Sequence, residues 1–333
     1  MSQHASHLTT TVPRRAVVTG AAGFIGSHLA HALVQAGAVV VGVDRRDPAT
    51  DPTAAANLAA LQRLPGYMHV TADLLNCAIE PLLVDANAVF HLAGIPGVRP
   101  SWGPQFSEYV ASNVLATHRV MDAITRMGIP RLVVASSSSV YGPTEGGPSV
   151  ETDRPQPASP YAVTKLAEEQ LCLAHSAQAH CPTSVVALRY FTVYGPRQRP
   201  DMFTHRALTA ALTGQALPLY GDGHQRRDFT YIDDAVAATI AAATIPTASG
   251  VINVGGGSSA SLLEVINIAN SLSGREIQIH QENPRSGDVL TTRADPSRAH
   301  EVLGWQPQVD LHNGMRAHMQ TLAAETAAYG RAA

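Results

Sequence analysis

Short runs of β-branched and small apolar residues alternate with longer amphipathic stretches over about the first 190 residues, a rhythm that builds parallel strands joined by crossover helices. Strands are predicted at Arg15–Thr19, Val39–Val43, Tyr67–Thr71, Ala88–Leu92, Leu132–Ala135 and Ser184–Tyr190, with a helix over Phe24–Ala36 after the first. Two stronger helical periodicities, Gln105–Met127 and Tyr161–His180, carry Leu, Val, Ala and Met on faces wide enough to bury against the sheet and against a second partner. An antiparallel dimer seam is one use for such faces. Beyond Gly195 the rhythm turns irregular: helix Met202–Thr213, strand Leu217–Leu219, strand Asp228–Ile232, helix Asp234–Ala243, strand Val251–Val254 and a helix from Ser261. The pattern predicts an α/β chain with a doubly wound parallel sheet over 15–195, a smaller mixed α/β lobe over 196–333 with some segments returning to the sheet, and a loose polar tail at 1–14.

Composition narrows this picture more than it changes it. The chain has 333 residues, 45% hydrophobic and 15% charged, which suits a folded core and not a disordered chain. A net charge of −3 gives no field for nucleic acid or an anionic membrane, so neither is expected as a partner, and no apolar run approaches the roughly 20 residues a spanning helix needs. The opening segment lacks the apolar stretch of a secretory signal. Cys77, Cys172 and Cys181 match neither a disulfide framework nor a zinc site, so a reducing, cytoplasmic location and no metal are expected. His28 and His31, on the first helix, are assigned no role. One count stands out: of 23 basic side chains all but one are Arg, and the exception is Lys165.

The first chemical motif is Gly20-Ala-Ala-Gly23-Phe24-Ile25-Gly26, after a strand and before a helix. Glycines there permit a tight turn and close approach of a pyrophosphate, whose charge the helix N-terminus favours. Asp44 ends the next strand, 18 residues past Gly26, where a carboxylate accepts bonds from the adenosine ribose and repels a 2′-phosphate. NAD is therefore expected over NADP, although Arg45 and Arg46 stand against that preference. Asp73 follows the third strand, placed to bond the adenine or to cap a turn.

The second motif is Tyr161-Ala-Val-Thr-Lys165, preceded by the serine run Ser136–Ser139 at a strand end. Four residues apart on a helix, Tyr161 and Lys165 share a face, where an ammonium can stabilise a tyrosinate and make Tyr161 a base. That the only Lys falls here, downstream of a nucleotide loop, favours chemistry over chance.

With these residues in view the chain resembles the extended short-chain dehydrogenase/reductase family, in particular its nucleotide-sugar epimerases and dehydratases. The resemblance runs from about Arg15 to about Gly304 and rests on Gly20–Gly26, His91-Leu-Ala, Ser136–Gly142, Tyr161–Lys165, Arg189–Pro196, Gly221–Asp234 and Arg285–Asp288. It implies a Rossmann-type fold, bound NAD, and a triad of Ser137, Tyr161 and Lys165, with Ser136 or Ser138 replacing Ser137 if the alignment slips by one. Cofactor contacts implied alongside the glycine loop, Asp44, Arg45 and Asp73 are Leu74, Leu92, Ala93, Gly94, Tyr161, Lys165 and Tyr190. The implied mechanism is transient oxidation of a sugar hydroxyl.

Dehydratases of the family place an Asp-Glu pair after the triad hydroxyl, and this chain has Ser138 and Ser139 there, so 4-epimerisation is expected. Thr192 and the run Arg199-Pro-Asp-Met202 resemble the UDP-glucuronate 4-epimerases, as does Arg99 after the fourth strand, whereas the loop Gly94-Ile-Pro-Gly97 departs from that group. Ser138, Ser139, Thr192 and Arg199 are candidates for a uronate carboxylate. Arg227 and Arg285 match diphosphate and ribose contacts, Asp288 the uridine ribose, and Phe203 and Leu219 the flanks of the uracil. UDP-glucose or UDP-N-acetylglucosamine epimerisation, decarboxylation or dehydration of a UDP-uronate, and an inactive NAD-sensing protein are the alternatives. A homodimer is expected from the family's four-helix seam.

Overall fold

A computed structural model describes residues 12–144, 147–257, 259–283 and 289–332. Its centre is an all-parallel, seven-stranded sheet. In chain order the first six strands are β1 (Arg15–Thr19), β2 (Val39–Asp44), β3 (Tyr67–Thr71), β4 (Ala88–His91), β5 (Arg131–Ser137) and β6 (Ser184–Tyr190). They lie in the order β6-β5-β4-β1-β2-β3, and the strand Gly250–Val254 adds to the β6 edge. The order reverses between β1 and β4, which opens a crevice at their carboxyl ends, the usual ligand position in such sheets.

Alternation of side chains explains why both faces are apolar. Ala16, Val18, Val40, Phe90 and Val133 point into one core, and Val17, Val41, Val89, Leu132 and Val134 into the other. The first face is covered by the helices Phe24–Gln35 and Ile232–Thr244, the second by the helix over 106–127 and the helix Pro160–Ser176. The last of these starts where Ser159 accepts the Ala162 N–H at 3.1 Å and Pro160 occupies the first turn. It stops at Ser176, short of the expected His180, because the Ser176 hydroxyl donates to Thr183 O and the chain turns with His180 at φ +66°.

The smaller lobe departs further from expectation. The strand expected at Asp228–Ile232 breaks into Arg226–Asp228, paired with Ser259–Ser261, and Thr230–Tyr231, paired with Val193–Tyr194. Its centre is the Asp228 carboxylate, which is buried and accepts the N–H groups of Gly256 and Ala294 at 2.6 and 2.9 Å. A third pair joins Leu217–Tyr220 to Ile279–Glu282. The C-terminal helix Leu311–Ala332 had no counterpart in the pattern; it is tied in by Asp234, which accepts the N–H groups of Gln308 and Val309. At the other end residues 1–11 lie outside the described residues, while Val12 already rests on the core and Arg14 O accepts the Val39 N–H. No described helix is long and apolar enough to cross a membrane.

Candidate active site

β1 delivers the chain into the glycine turn at the crevice. Gly20 sits at φ +71°, and a Cβ on it would lie 2.8 Å from the backbone of Leu92 and Ala93, which close over the turn after β4. A Cβ on Gly26 would overlap the carbonyl oxygen of Gly20. Gly23 starts the helix Phe24–Gln35 with no side-chain cap, so the backbone at the helix start faces the crevice as an anion cradle; Phe24 and Ile25 pack onto the core. Asp44, at the end of β2, accepts the Ala22 N–H at 3.0 Å, and Asn57 donates to Ala22 O at 2.8 Å, so the turn is pinned from both sides. These groups fit the pyrophosphate and ribose of a dinucleotide.

Some expected cofactor contacts are placed differently. Arg45 is exposed, and it is Arg46 that lies on Asp44, with Nε and Nη2 donating at 3.3 and 3.2 Å. Asp73 closes a turn: its carboxylate accepts from Leu75 N and Asn76 Nδ2, and Leu74 is buried in the core. Tyr190 is buried with its hydroxyl on Thr239 at 2.6 Å, so its phenol serves the packing of the helix Ile232–Thr244 against β6. Gly94 lies against Asn113, whose Oδ1 is 2.9 Å from where a Cβ would stand.

β5 ends in the serine run, and the structure separates its members. Ser136 is buried and donates to Glu169 at 2.6 Å, which removes it from the chemistry. Ser137 Oγ accepts both the N–H and the hydroxyl of Ser139, at 3.2 and 2.8 Å, leaving its own proton to donate outward. Ser138 and Ser139 are half-buried beside it. Tyr161 is half-buried, with the Tyr109 ring 6.2 Å away, and Lys165 is buried one turn along the helix with its ammonium 2.5 Å from Glu168.

Two supports escaped the sequence reading. Asn113 is fully buried where the helix over 106–127 widens into a π-helical turn, Val110–Leu115; it accepts from Ile95 N at 2.7 Å and donates to Thr164 Oγ1 at 3.0 Å. Thr164 donates in turn to Tyr161 O, so Asn113 holds the turn of helix that carries the tyrosine. The second support is His91, fully buried between Thr19 and Thr117 at 2.8 and 2.9 Å. Thr117 donates to Asn113 O, so it must accept from His91 Nε2; Nδ1 then accepts from Thr19, which accepts the Ala93 N–H. Burial, helped by the Lys165 charge, pushes His91 down to about 3 and keeps it neutral. The available signal was a polar side chain on an otherwise apolar face.

On the substrate side Thr192 is half-buried next to the strand Val193–Tyr194. Arg199 is held by Asp201 through two bonds, at 2.9 and 2.8 Å. Arg99 lies 4.5 Å over the Tyr220 ring, which joins the β4 side of the crevice to the smaller lobe. Phe203 is partly buried at the start of the helix Phe203–Thr213, and Leu219 is buried in the core. Arg227 donates to Arg226 O at 2.8 Å. Arg285 and Asp288 lie outside the described residues. Among the described residues no group of three or more His, Cys, Asp or Glu is placed to hold a metal ion.

A family model described as the NAD dependent epimerase/dehydratase family matches residues 16–255. A Bacillus subtilis (strain 168) protein described as an uncharacterized UDP-glucose epimerase, YtcB, is 40% identical over 302 residues, covering 90% of this chain and 95% of its own. Among solved structures, MoeE5 in complex with UDP-glucose and NAD is 43% identical with a TM-score of 0.86, covering 94% of this chain and 99% of its own. The Bacillus cereus UDP-glucuronic acid 4-epimerase in complex with UDP-glucuronic acid and NAD is 40% identical with a TM-score of 0.88, covering 93% and 99%.

Proposed function

The chain belongs to the NAD-dependent epimerase/dehydratase family, and from that premise we propose that it interconverts UDP-glucuronate and UDP-galacturonate by oxidation and re-reduction at C4. Bound NAD supplies the hydride acceptor and donor. The glycine turn and Asp44 hold it, and the chain's other residues handle protons and position. Tyr161, as tyrosinate, takes the proton of the 4-hydroxyl and later returns it; Lys165 stabilises the phenolate; Ser137 donates its remaining proton to the oxygen at C4. Epimerisation needs only that the keto sugar turn over before hydride returns.

The observation that carries the sugar assignment is a set of neutral hydroxyls: Ser138 and Ser139, where a dehydratase would hold an acid and a base, together with Thr192. Neutral donors bind a uronate carboxylate firmly, and the 4-keto intermediate is a β-keto acid that loses carbon dioxide unless that carboxylate is held out of alignment with the carbonyl. A second reading, UDP-glucose, is favoured by the Arg199–Asp201 pair, which already matches the arginine charge expected to meet a uronate carboxylate. Incubation with UDP-glucuronate and, separately, UDP-glucose, with products resolved by anion-exchange chromatography and proton NMR, decides between them. UDP-galacturonate is expected from the acid; turnover of UDP-glucose alone overturns the assignment, and a pentose product overturns the account of the carboxylate. The same reading expects a homodimer across the helices over 106–127 and 160–176, whose outward faces expose Leu115 and Val163.

A further inference from the structure

The helix Pro160–Ser176 carries two consecutive, fully buried glutamates, and they are balanced in different ways. Both oxygens of Glu169 are spent: Arg189 donates to them at 2.6 and 2.9 Å, and Ser136 adds a bond at 2.6 Å. Glu168 is rotated about 100° around the helix from it. Its Oε2 lies 2.5 Å from the Lys165 ammonium, almost one turn back on the same face, while Oε1 is buried without a partner. Lys165 thus has one positive charge and two claimants, the Glu168 carboxylate and the Tyr161 phenolate. In a dry site the field of an ammonium is little screened, so a carboxylate in contact with it cancels much of what the phenolate would receive.

We propose that Glu168 is a positioning residue for Lys165, anchoring the ammonium and setting, by whether its own carboxyl carries a proton, how strongly that ammonium stabilises the Tyr161 phenolate. The inference rests on the proposed function only in taking Tyr161 as the base. A neutral Glu168 leaves the charge of Lys165 to the tyrosine; an ionised one divides it. Burial pushes the Glu168 carboxyl up to about 7 against the pull of the ammonium, which brings the division into the neutral range. Of the surrounding titratable groups, the Glu169 charge adds to the upward push on Glu168, while Cys172 and His91 stay neutral. On the same helix Glu169 is committed to Arg189 of β6, and the Cys172 thiol, one turn on, is pushed up by burial. From β4 comes His91, neutral, and from the helix over 106–127 comes Tyr109, packed edge-on against Tyr161.

Glu168→Gln keeps the shape and an oxygen for the ammonium but cannot ionise, so it is the variant to make. In the NAD-loaded enzyme, the pH at which tyrosinate absorbance appears without substrate, and the acid limb of kcat, should both move down by about one pH unit or more, with KM essentially unchanged. Glu168→Asp, which restores a titrating carboxyl, should return both toward the parent. A tyrosinate transition that stays in place in Glu168→Gln, with kcat lowered evenly at every pH, would overturn the proposal and leave Glu168 a packing residue. If neither variant folds, the parent enzyme still decides: an infrared carbonyl band from a buried protonated carboxyl must titrate together with the tyrosinate signal, and independent titration overturns the coupling. Because the absorbance measurement needs no sugar, its outcome is separate from whether UDP-glucuronate is the substrate.

Discussion

Two fully buried histidines separate the cofactor-binding half of the molecule from the smaller lobe. His91, at the end of β4, has both ring nitrogens bonded in a directed chain that runs from the Ala93 N–H through Thr19 and Thr117 to Asn113 O. His318, on the C-terminal helix, has both ring nitrogens buried without a hydrogen-bond partner and meets the His205 ring edge-on, ring centres 5.6 Å apart. Burial holds each of them neutral, down to about 3. The difference teaches where precision is spent. Around the crevice His91 is oriented by a bond at each ring nitrogen, which suits chemistry that tolerates little misplacement; the outer lobe closes a core and accepts an imidazole as a space-filler.

That contrast can be broken by substitution. Arg189→Met should show the largest effect, a loss of about 3–5 kcal/mol in denaturant unfolding, since it strands Glu169 as an unpaired charge beside Glu168. His91→Leu should cost about 1–3 kcal/mol and lower NAD retention, because Thr19 loses its acceptor and Thr117 its donor. His318→Leu should be close to neutral at pH 7, and if it costs as much as His91→Leu the comparison fails.

The pH dependence of His318→Leu gives a further test. Unfolded, His318 takes a proton near its ordinary value of 6.5; folded, it resists until about 3, so its neutral burial contributes stability above pH 6.5 that drains away as pH falls toward 3. At pH 5 the parent should therefore have lost on the order of 1–2 kcal/mol more than the variant, read as the gap between their melting temperatures. Thr192→Ala should cost about 1 kcal/mol on kcat/KM for UDP-glucuronate, with pentose appearing among the products. No pentose and no loss would remove Thr192 from the carboxylate site.

Most of the sheet was legible because β1, β2, β4, β5 and β6 are largely buried on both faces, which writes an apolar run into each of them, while the edge strand β3 is partly exposed. The glycine turn was legible for a related reason: only residues without a Cβ fit at Gly20 and Gly26, so the chemistry of close approach shows in the letters. The smaller lobe was read less well. Its strands of two to four residues are too short for periodicity to declare them, and the break at Phe229 depends on a carboxylate meeting N–H groups of Gly256 and Ala294 far along the chain. Leu219 and Tyr190 were picked by motif position, and that both are buried, with the Tyr190 hydroxyl on Thr239, was not legible in the sequence.

From the sequence alone follow the parallel α/β sheet, the glycine turn between strand and helix, the spacing of Tyr161 and the one lysine on a helix and the serine run at the end of β5, since each is carried by local spacing and residue type. Only the tertiary structure decided which serine is spent on Glu169, that Arg46 and not Arg45 lies on Asp44, that Asn113 and His91 brace the crevice, and that Lys165 is shared with Glu168. These are pairings between segments tens of residues apart, or choices among neighbours of equal chemistry. Each is settled by which partner burial brings within hydrogen-bond reach, and helical or strand periodicity carries no record of that.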